Sequence, residues 1–216
     1  AHERLGAVRK AHRGCERFPG KGPALLVAVS TAVADEALFN DEVFGPALAV
    51  VELDGEDAPA FLENAVHFAN RRLAGSLGAN LLIDPATQRA HAGALDRAVA
   101  ALRYGAVAVN GWCGMNFLIP QLSWGAYPGN RLHDVESGIG VVHNAFLFDK
   151  PQKCVLRAPF RPFPRTLLSG LFHLSPKPPW FVLNRTGATT SKSFVRFTAE
   201  PGWLRIPALL WSALRG

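Results

Sequence analysis

Three short apolar runs alternate with two longer segments of helical periodicity between residues 47 and 111. The runs are ALAVVEL (47–53), SLGANLLID (76–84) and GAVAVNG (105–111). Apolar residues recur at helical spacing in residues 57–73 and 86–104, which predicts two helices, and Asp57 stands where it can cap the first. Because a helix between two strands brings them together in parallel, we predict an α/β fold: a three-layer αβα arrangement with a mostly parallel sheet.

The segments on either side of this unit carry weaker patterns. Residues 3–17 predict a polar helix, and residues 24–29 a short buried strand. The run at 47–53 is apolar on both faces, so we expect that strand to be covered on both sides. After the third run, a long loop rich in Gly and aromatic residues begins at the end of a strand, where open α/β sheets bind ligands. Residues 141–149 and 153–159 then predict extended strands.

Charge divides the chain into two unequal parts. Residues 1–156 hold 14 Lys and Arg against 16 Asp and Glu, a net charge of −2, whereas residues 157–216 hold nine against one, a net charge of +8. The second part is also rich in Pro, Phe and Trp. We therefore predict a first domain over residues 1–156 and a basic, aromatic- and Pro-rich C-terminal extension over residues 157–216.

Cysteine and histidine usage excludes several classes of site. The three cysteines are widely spaced with no CxxC pair, and the seven histidines show no HxH or HExxH spacing. These patterns predict reduced thiols in a cytoplasmic protein and no metal site. No apolar run approaches the roughly 18 to 20 residues that span a bilayer, and the start lacks the apolar core of a secretory signal.

A further motif precedes the first apolar run. It is the pentapeptide Glu42-Val43-Phe44-Gly45-Pro46. An Ala-Asn pair then falls in the first predicted helix, GSLGANLLI covers the second run, and GAVAVN ends at Asn110. In this order, the motifs resemble the C-terminal half of the catalytic domain of aldehyde dehydrogenases, which carry a Glu-x-Phe-Gly-Pro signature and a strand ending in Val-Asn. The resemblance covers residues 3–156 and implies a partial aldehyde dehydrogenase-like catalytic domain there.

The resemblance implies a cofactor site at Glu42 and Phe44. In that family the glutamate accepts hydrogen bonds from the nicotinamide ribose and the phenylalanine packs beside it, so NAD or NADP is the expected cofactor. An ionised carboxylate can accept from both vicinal hydroxyls of a ribose, and a ring offers apolar contact to a flat base. From the residue types alone, a solvated loop acid and a core aromatic remain the alternative.

The late loop supplies the expected substrate site. The resemblance and the Gly-rich setting place Asn110, Trp112, Cys113 and Phe117 along a tunnel for a small-molecule aldehyde. Cys113 has three alternatives: a nucleophile, a tunnel-lining residue, or ordinary packing. A nucleophilic thiol needs a cationic partner or a helix N-terminus to lower its pKa, and the sequence shows no adjacent one, although His133 could fold nearby.

Two features of the family are missing from the 216 residues. No Gly-Gln-x-Cys stretch supplies the family's nucleophile, and no glycine-rich cofactor domain is present. The chain also opens on Ala1, and its only methionine is Met115. We therefore expect the C-terminal portion of an NAD(P)-dependent oxidoreductase that converts an aldehyde to a carboxylic acid, with no catalytic residue of its own and no turnover alone.

Partners follow from the late strands and the tail. In the family, late strands build the oligomer contact, so residues 143–158 are the expected interface of a homo-oligomer. The basic tail fits an arm that wraps its own domain or a neighbour, or a segment that binds an anionic surface; no nucleic acid is expected. The rival function is a non-catalytic dehydrogenase remnant that acts as an interaction or membrane-surface-binding protein.

Overall fold

The computed structural model describes residues 2–18, 24–43, 45–143, 145–161, 165, 179 and 184–216. Within them the chain is a mixed α/β protein. The helices are α1 (His2–Ala11), α2 (Ala37–Asn40), α3 (Ala58–Arg72), α4 (Pro85–Ala90), α5 (Ala92–Ala101), α6 (Met115–Leu118), α7 (Gly187–Ala199) and α8 (Ile206–Leu214). The strands are β1 (Glu16–Phe18), β2 (Ala24–Ala28), β3 (Ala47–Val50), β4 (Gly78–Leu81), β5 (Ala106–Val109), β6 (Trp124–Gly125), β7 (Val141–Val142) and β8 (Cys154–Arg157).

These strands form two three-stranded sheets and a two-stranded ribbon. The first sheet has the order β1-β2-β3, with β1 antiparallel and β3 parallel to β2. The second sheet has the order β4-β5-β8 and is parallel throughout, and β6 pairs with β7 in the ribbon. The predicted α/β class is therefore observed, as small and mostly parallel sheets.

The main core lies on one face of the second sheet. The central strand β5 is completely buried, and Val107 and Val109 pack against Leu95 and Val99 of α5. Helix α3 lies beside α5, and its residue Leu62 packs on the same core. Burying a Leu or Val side chain contributes about 1.5 to 3 kcal/mol, so this face is the main source of stability.

Polar side chains fix the ends of the covering helices. The Asp57 side chain accepts a hydrogen bond from the Ala60 amide at 2.8 Å, which confirms the predicted cap of α3. Asn70, near the other end of α3, donates to the Ala101 carbonyl at 2.9 Å and accepts from the Arg103 amide at 2.8 Å. One amide thus joins the end of α3 to the end of α5.

Lys153 caps the end of α5. Its Nζ atom donates to the carbonyl oxygens of Val99 at 3.0 Å and Ala100 at 2.7 Å. A third hydrogen bond reaches the carbonyl of Leu102. Partial burial lowers the pKa of Lys153 from its ordinary value. A cation at this position offsets the partial negative charge of the helix C-terminus.

The first sheet has a core of its own. Val27 and Val29 of the β2 segment are buried against Leu5 of α1 and Phe39 of α2. The Phe39 ring meets the Phe68 ring of α3 edge to face, with centroids 5.3 Å apart. This contact joins the smaller core to α3.

The pairing of the predicted strands is partly wrong. We predicted one parallel sheet through residues 47–53, 76–84 and 105–111, but β3 pairs with β2, whereas β4 pairs with β5. Strand β3 is also open on one face, because Leu48 is 63% and Val50 39% exposed. An apolar run indicates a strand but carries no information on which strand pairs with it or what covers it.

Three predicted boundaries are also corrected. The helix predicted over residues 3–17 ends at Ala11, and residues 16–18 pair with β2 instead. The helix predicted over 86–104 is broken at His91, whose backbone leaves the helical region. Of the strand predicted over 141–149, Val141–Val142 alone is a strand among the residues described there.

Three glycines allow the backbone of the second sheet to touch the ribbon. A Cβ atom added to Gly105, just before β5, would lie 1.9 Å from the carbonyl oxygen of Gly125. A Cβ atom on Gly125 would in turn lie 2.3 Å from the carbonyl oxygen of Gly140. Backbone packs directly on backbone at these two contacts, and any side chain would force the segments apart.

The C-terminal residues form a helical hairpin, α7 and α8, joined by a 3₁₀ turn (Trp203–Arg205). The hydroxyls of Thr190 and Ser212 are 2.8 Å apart between the helices. Arg205 donates to the carbonyl of Arg196 at 3.0 Å and so caps the end of α7. No helix in the described ranges has the length and apolar character needed to cross a bilayer.

Candidate functional site

An open cleft of about 930 Å³ lies beside the start of β4. Its walls come from the end of α2 with the following loop, from the segment entering β4, and from the late loop. The lining residues are 38–42, 73–78, Tyr104, Glu136 and Ser137. The predicted cofactor residue Glu42 is therefore at the cleft, where it is exposed.

Backbone hydrogen bonds hold the walls together. The Ala74 amide donates to the Phe39 carbonyl at 2.8 Å, which joins the segment entering β4 to α2. The Ser76 amide donates to the Ser137 hydroxyl at 2.8 Å, which adds the late loop. Gly75 between them has a φ of +87°, a conformation that side chains disfavour. Hydrogen bonds from main-chain amides thus join the three walls of the cleft.

The cleft is acidic. Asp41, Glu42 and Glu136 line it, and no Lys, Arg or His is among the described lining residues. The hydroxyl of Ser76 is buried and has no hydrogen-bond partner in the described part of the chain. Carboxylates accept hydrogen bonds and attract cations, while they repel phosphates. The arrangement suits a ligand that carries hydroxyl donors or positive charge.

Glu42 is held through its backbone. Its carbonyl oxygen accepts a hydrogen bond from Nη1 of Arg4 in α1, at 3.4 Å. Glu42 also lines a smaller pocket of about 380 Å³ toward β3. Its predicted neighbour Phe44 lies outside the described residues. The carboxylate half of the predicted clamp is thus described, and the aromatic half is not.

Cys113 lies directly against β4. Its amide donates to the side-chain oxygen of Asn80 at 2.7 Å. Its sulfur occupies the space of a side chain at Gly78, because a Cβ atom there would lie 2.6 Å from Sγ. Gly78 is also a lining residue of the acidic cleft. Gly78 therefore lies between Cys113 and the cleft that Glu42 lines.

Burial raises the pKa of the Cys113 thiol, and hydrogen bonds from the backbone and from Asn80 oppose this only in part. A raised pKa means less thiolate at neutral pH and a weaker nucleophile. The raised pKa therefore favours the tunnel-lining or packing alternatives for Cys113 over nucleophilic catalysis.

Asn110 has a local structural role. Its backbone is left-handed, with a φ of 57°, and its side-chain oxygen accepts from the Ile83 amide at 2.8 Å. Its side-chain nitrogen donates to Gln88 at 3.5 Å. The amide thus fixes the end of β5 to the segment that leaves β4.

Phe117 and Trp112 are both half-exposed, at 48% and 45%. The Phe117 ring meets the Trp124 ring edge to face at 5.7 Å and lies 5.1 Å from the His143 ring at a shallow angle. The Trp112 ring packs over Gly114. The four predicted tunnel residues therefore have different neighbours. Phe117 faces the ribbon, Cys113 faces β4, Asn110 faces α4, and Trp112 packs over Gly114.

A buried polar group beside this loop has no signal in the sequence. Asn116 is completely buried and donates to the Cys154 carbonyl at 3.3 Å, while its side-chain oxygen has no partner among the described residues. The Ser123 hydroxyl and the Cys154 thiol are 3.1 Å apart. Single Asn and Ser residues in a Gly-rich loop have no spacing that predicts burial.

Comparisons with protein-family models, curated proteins and solved structures gave no match to this chain. Among the described residues, no group of three or more His, Cys, Asp or Glu side chains is placed to hold a metal ion. Function is therefore inferred from the lining of the acidic cleft and from the sequence motif that contains Glu42.

Proposed function

We propose that this chain is part of an NAD(P)-dependent oxidoreductase of the aldehyde dehydrogenase type, in a three-layer αβα fold, and that Glu42 binds the nicotinamide ribose. The observation that carries the proposal is the position of Glu42 at an open, acidic cleft beside the start of β4. The motif order described above supplies the reaction class.

The cleft is chemically suited to the nicotinamide end of the cofactor. An ionised carboxylate accepts hydrogen bonds from vicinal hydroxyls, and such charged bonds are stronger than neutral ones. The oxidised nicotinamide ring is a cation, which Asp41 and Glu136 also favour. The same carboxylates repel phosphates, so we place the pyrophosphate of the cofactor outside this cleft.

The residues of this chain then position the cofactor for chemistry performed by other groups. When bound, the nicotinamide accepts a hydride from the substrate. Glu42 orients the ribose at the cleft. Cys113 fills the space that a side chain at Gly78 would take, and burial raises the pKa of its thiol, so we assign it no nucleophilic role.

Titration with oxidised nicotinamide riboside, followed by amide NMR, tests the site. This ligand contains the ribose and the cationic ring without a phosphate. We expect shifts at the amides of Ser76 and Gly78, and binding about tenfold weaker in Glu42→Gln, equivalent to about 1.4 kcal/mol for one charged hydrogen bond. Glu52→Gln removes the same charge from an exposed residue outside the lining and serves as the control. Equal affinity in the two variants, or shifts confined to another surface, would refute the site.

A further inference from the structure

The hairpin of α7 and α8 exposes a continuous apolar face. Helix α8 contains no charged residue, yet none of its residues is buried. Trp203 is 88% exposed and Leu204 96%, in the turn that leads into α8, while Leu210 is 55% and Trp211 65% exposed. Isolated exposed apolar residues are ordinary, but a contiguous set of this kind marks an interaction surface.

Several of these residues lie on one side of α8. Positions 207, 210, 211 and 214 are three or four residues apart, so they share a face of the helix, and Trp203 and Leu204 lie in the 3₁₀ turn that precedes it. Ser212 faces α7, because its carbonyl accepts from the Thr186 hydroxyl at 2.7 Å and its hydroxyl contacts Thr190. Polar contacts therefore join the two helices, while Leu210 and Trp211 are exposed.

Basic residues accompany the apolar face. Residues 184–216 contain five arginines and lysines and one acid, Glu200, for a net charge of +4. Glu200 is already neutralised by an ion pair with Arg205 at 2.5 Å. The guanidinium of Arg215 lies 5.7 Å from the centre of the Trp211 ring, so a cation stands beside an outward aromatic residue. No acidic residue interrupts the segment from 203 to 214.

We propose that the α7–α8 hairpin binds the surface of an anionic phospholipid bilayer. Trp203, Leu204, Leu210 and Trp211 enter the boundary between headgroups and acyl chains, and the surrounding arginines contact lipid phosphates. A helix with an apolar face, Trp at the polar boundary and flanking basic residues has the chemistry of interfacial segments. A nucleic acid offers base faces for stacking but no apolar layer that the aliphatic Leu204 and Leu210 could enter.

Geometry restricts the mode of binding. Helix α8 has nine residues, which is about 13 Å of helix and far below the thickness of a bilayer. It therefore lies along the surface, and the binding is reversible and sensitive to salt. This proposal is independent of the cofactor site at Glu42.

Vesicle co-sedimentation of the full chain tests the proposal. We expect at least about tenfold tighter binding to phosphatidylcholine vesicles containing phosphatidylglycerol than to phosphatidylcholine alone, and release of the chain by added salt. Equal binding to both vesicles, or no binding to either, would refute an anionic surface as the partner.

A matched pair of variants locates the contact. Trp203→Ala with Leu204→Ala removes two nearly fully exposed side chains, so the fold is unaffected and binding falls about tenfold. Leu82→Ala with Leu132→Ala removes two similarly exposed side chains outside the hairpin and outside the expected oligomer interface, and leaves binding unchanged. An equal loss of binding in both double variants would show nonspecific hydrophobic adsorption to the vesicles and overturn the proposal.

Quenching of tryptophan fluorescence by brominated lipids provides a second measurement. Quenching should fall in Trp203→Phe with Trp211→Phe while sedimentation is retained, because phenylalanine keeps the apolar contact without the fluorophore. Undiminished quenching in this variant would place other tryptophans in the lipid and contradict the hairpin. Loss of a protein or nucleic-acid complex in the Trp203 and Leu204 double variant, with lipid binding intact, would also contradict it.

Discussion

Gly78, at the start of β4, and its neighbour Cys113 determine which chemical groups lie beside the cleft. Gly78 is the position where the acidic cleft and the thiol of Cys113 meet, because the glycine lines the first and its missing side chain admits the second. The sulfur is partly buried and its pKa is raised. At this scale an open cleft lies close to a thiol whose raised pKa makes it a weaker nucleophile.

The raised pKa of Cys113 predicts slow alkylation. At neutral pH the thiolate fraction of Cys113 is smaller than that of an unfolded cysteine, so iodoacetamide should react with it more slowly than with the same residue in denaturant. The rate should continue to rise with pH beyond the ordinary pKa of a thiol. Mass spectrometry that resolves Cys113 from Cys15 and Cys154 measures both. Faster reaction in the folded chain at neutral pH would restore Cys113 as a nucleophile.

The sequence indicated a binding residue at Glu42, but it did not indicate the contacts that Asn110 makes. Glu42 lines an open cleft, as a ligand-binding acid must, and that much follows from its place between a helix and a strand. The side chain of Asn110 bonds within its own sheet, because the left-handed backbone turns its amide toward Ile83. A backbone angle of this kind depends on the turn that follows β5, and the residue pattern does not specify it.

Elements with strong local signals were predicted well, and their pairing was not. Helix α3 begins after Asp57 and β5 lies within residues 105–111, since capping and apolar runs are local properties. The partner of β3 is β2, a choice made by packing of Leu5 and Phe39 beneath the first sheet. Contacts between residues far apart in the chain do not change the apolar pattern of the strand, so that pattern does not predict them.

The cap on α5 predicts a loss of stability in Lys153→Met. The substitution leaves three carbonyl oxygens at the helix end without their donor and removes the cation from the negative end of the helix. We expect the free energy of unfolding to fall by about 1 to 2 kcal/mol, measured by urea denaturation. Lys150→Met changes an exposed lysine nearby and should alter the midpoint little. Equal midpoints for the two variants would show that the cap contributes nothing.

At the scale of the whole molecule, acidic and basic residues are concentrated in different regions. Acids line the cleft beside β4, while the surplus of basic residues lies after residue 157. Arg157 begins that surplus and pairs with Asp96 of α5 at 2.7 Å, an exposed contact that contributes little to stability. The proposed cofactor site and the proposed lipid-binding surface therefore carry opposite charges.

The chain alone is predicted not to turn over an aldehyde. The 216 residues contain no Gly-Gln-x-Cys stretch, and burial raises the pKa of the Cys113 thiol. A steady-state assay with an aliphatic aldehyde and NAD or NADP should show no formation of reduced cofactor above the blank. Turnover that disappears in Cys113→Ser would contradict this prediction and assign the nucleophile to this chain.

The stack of Gly105, Gly125 and Gly140 limits how this protein can change over generations. A methyl group at the first position would stand 1.9 Å from a carbonyl oxygen, and one at the second 2.3 Å from another. No rearrangement of a flexible side chain can make room, because both obstacles are main-chain atoms. Any substitution of Gly105 or Gly125 would therefore displace the backbone, so these two positions are expected to remain glycine in proteins descended from this sequence.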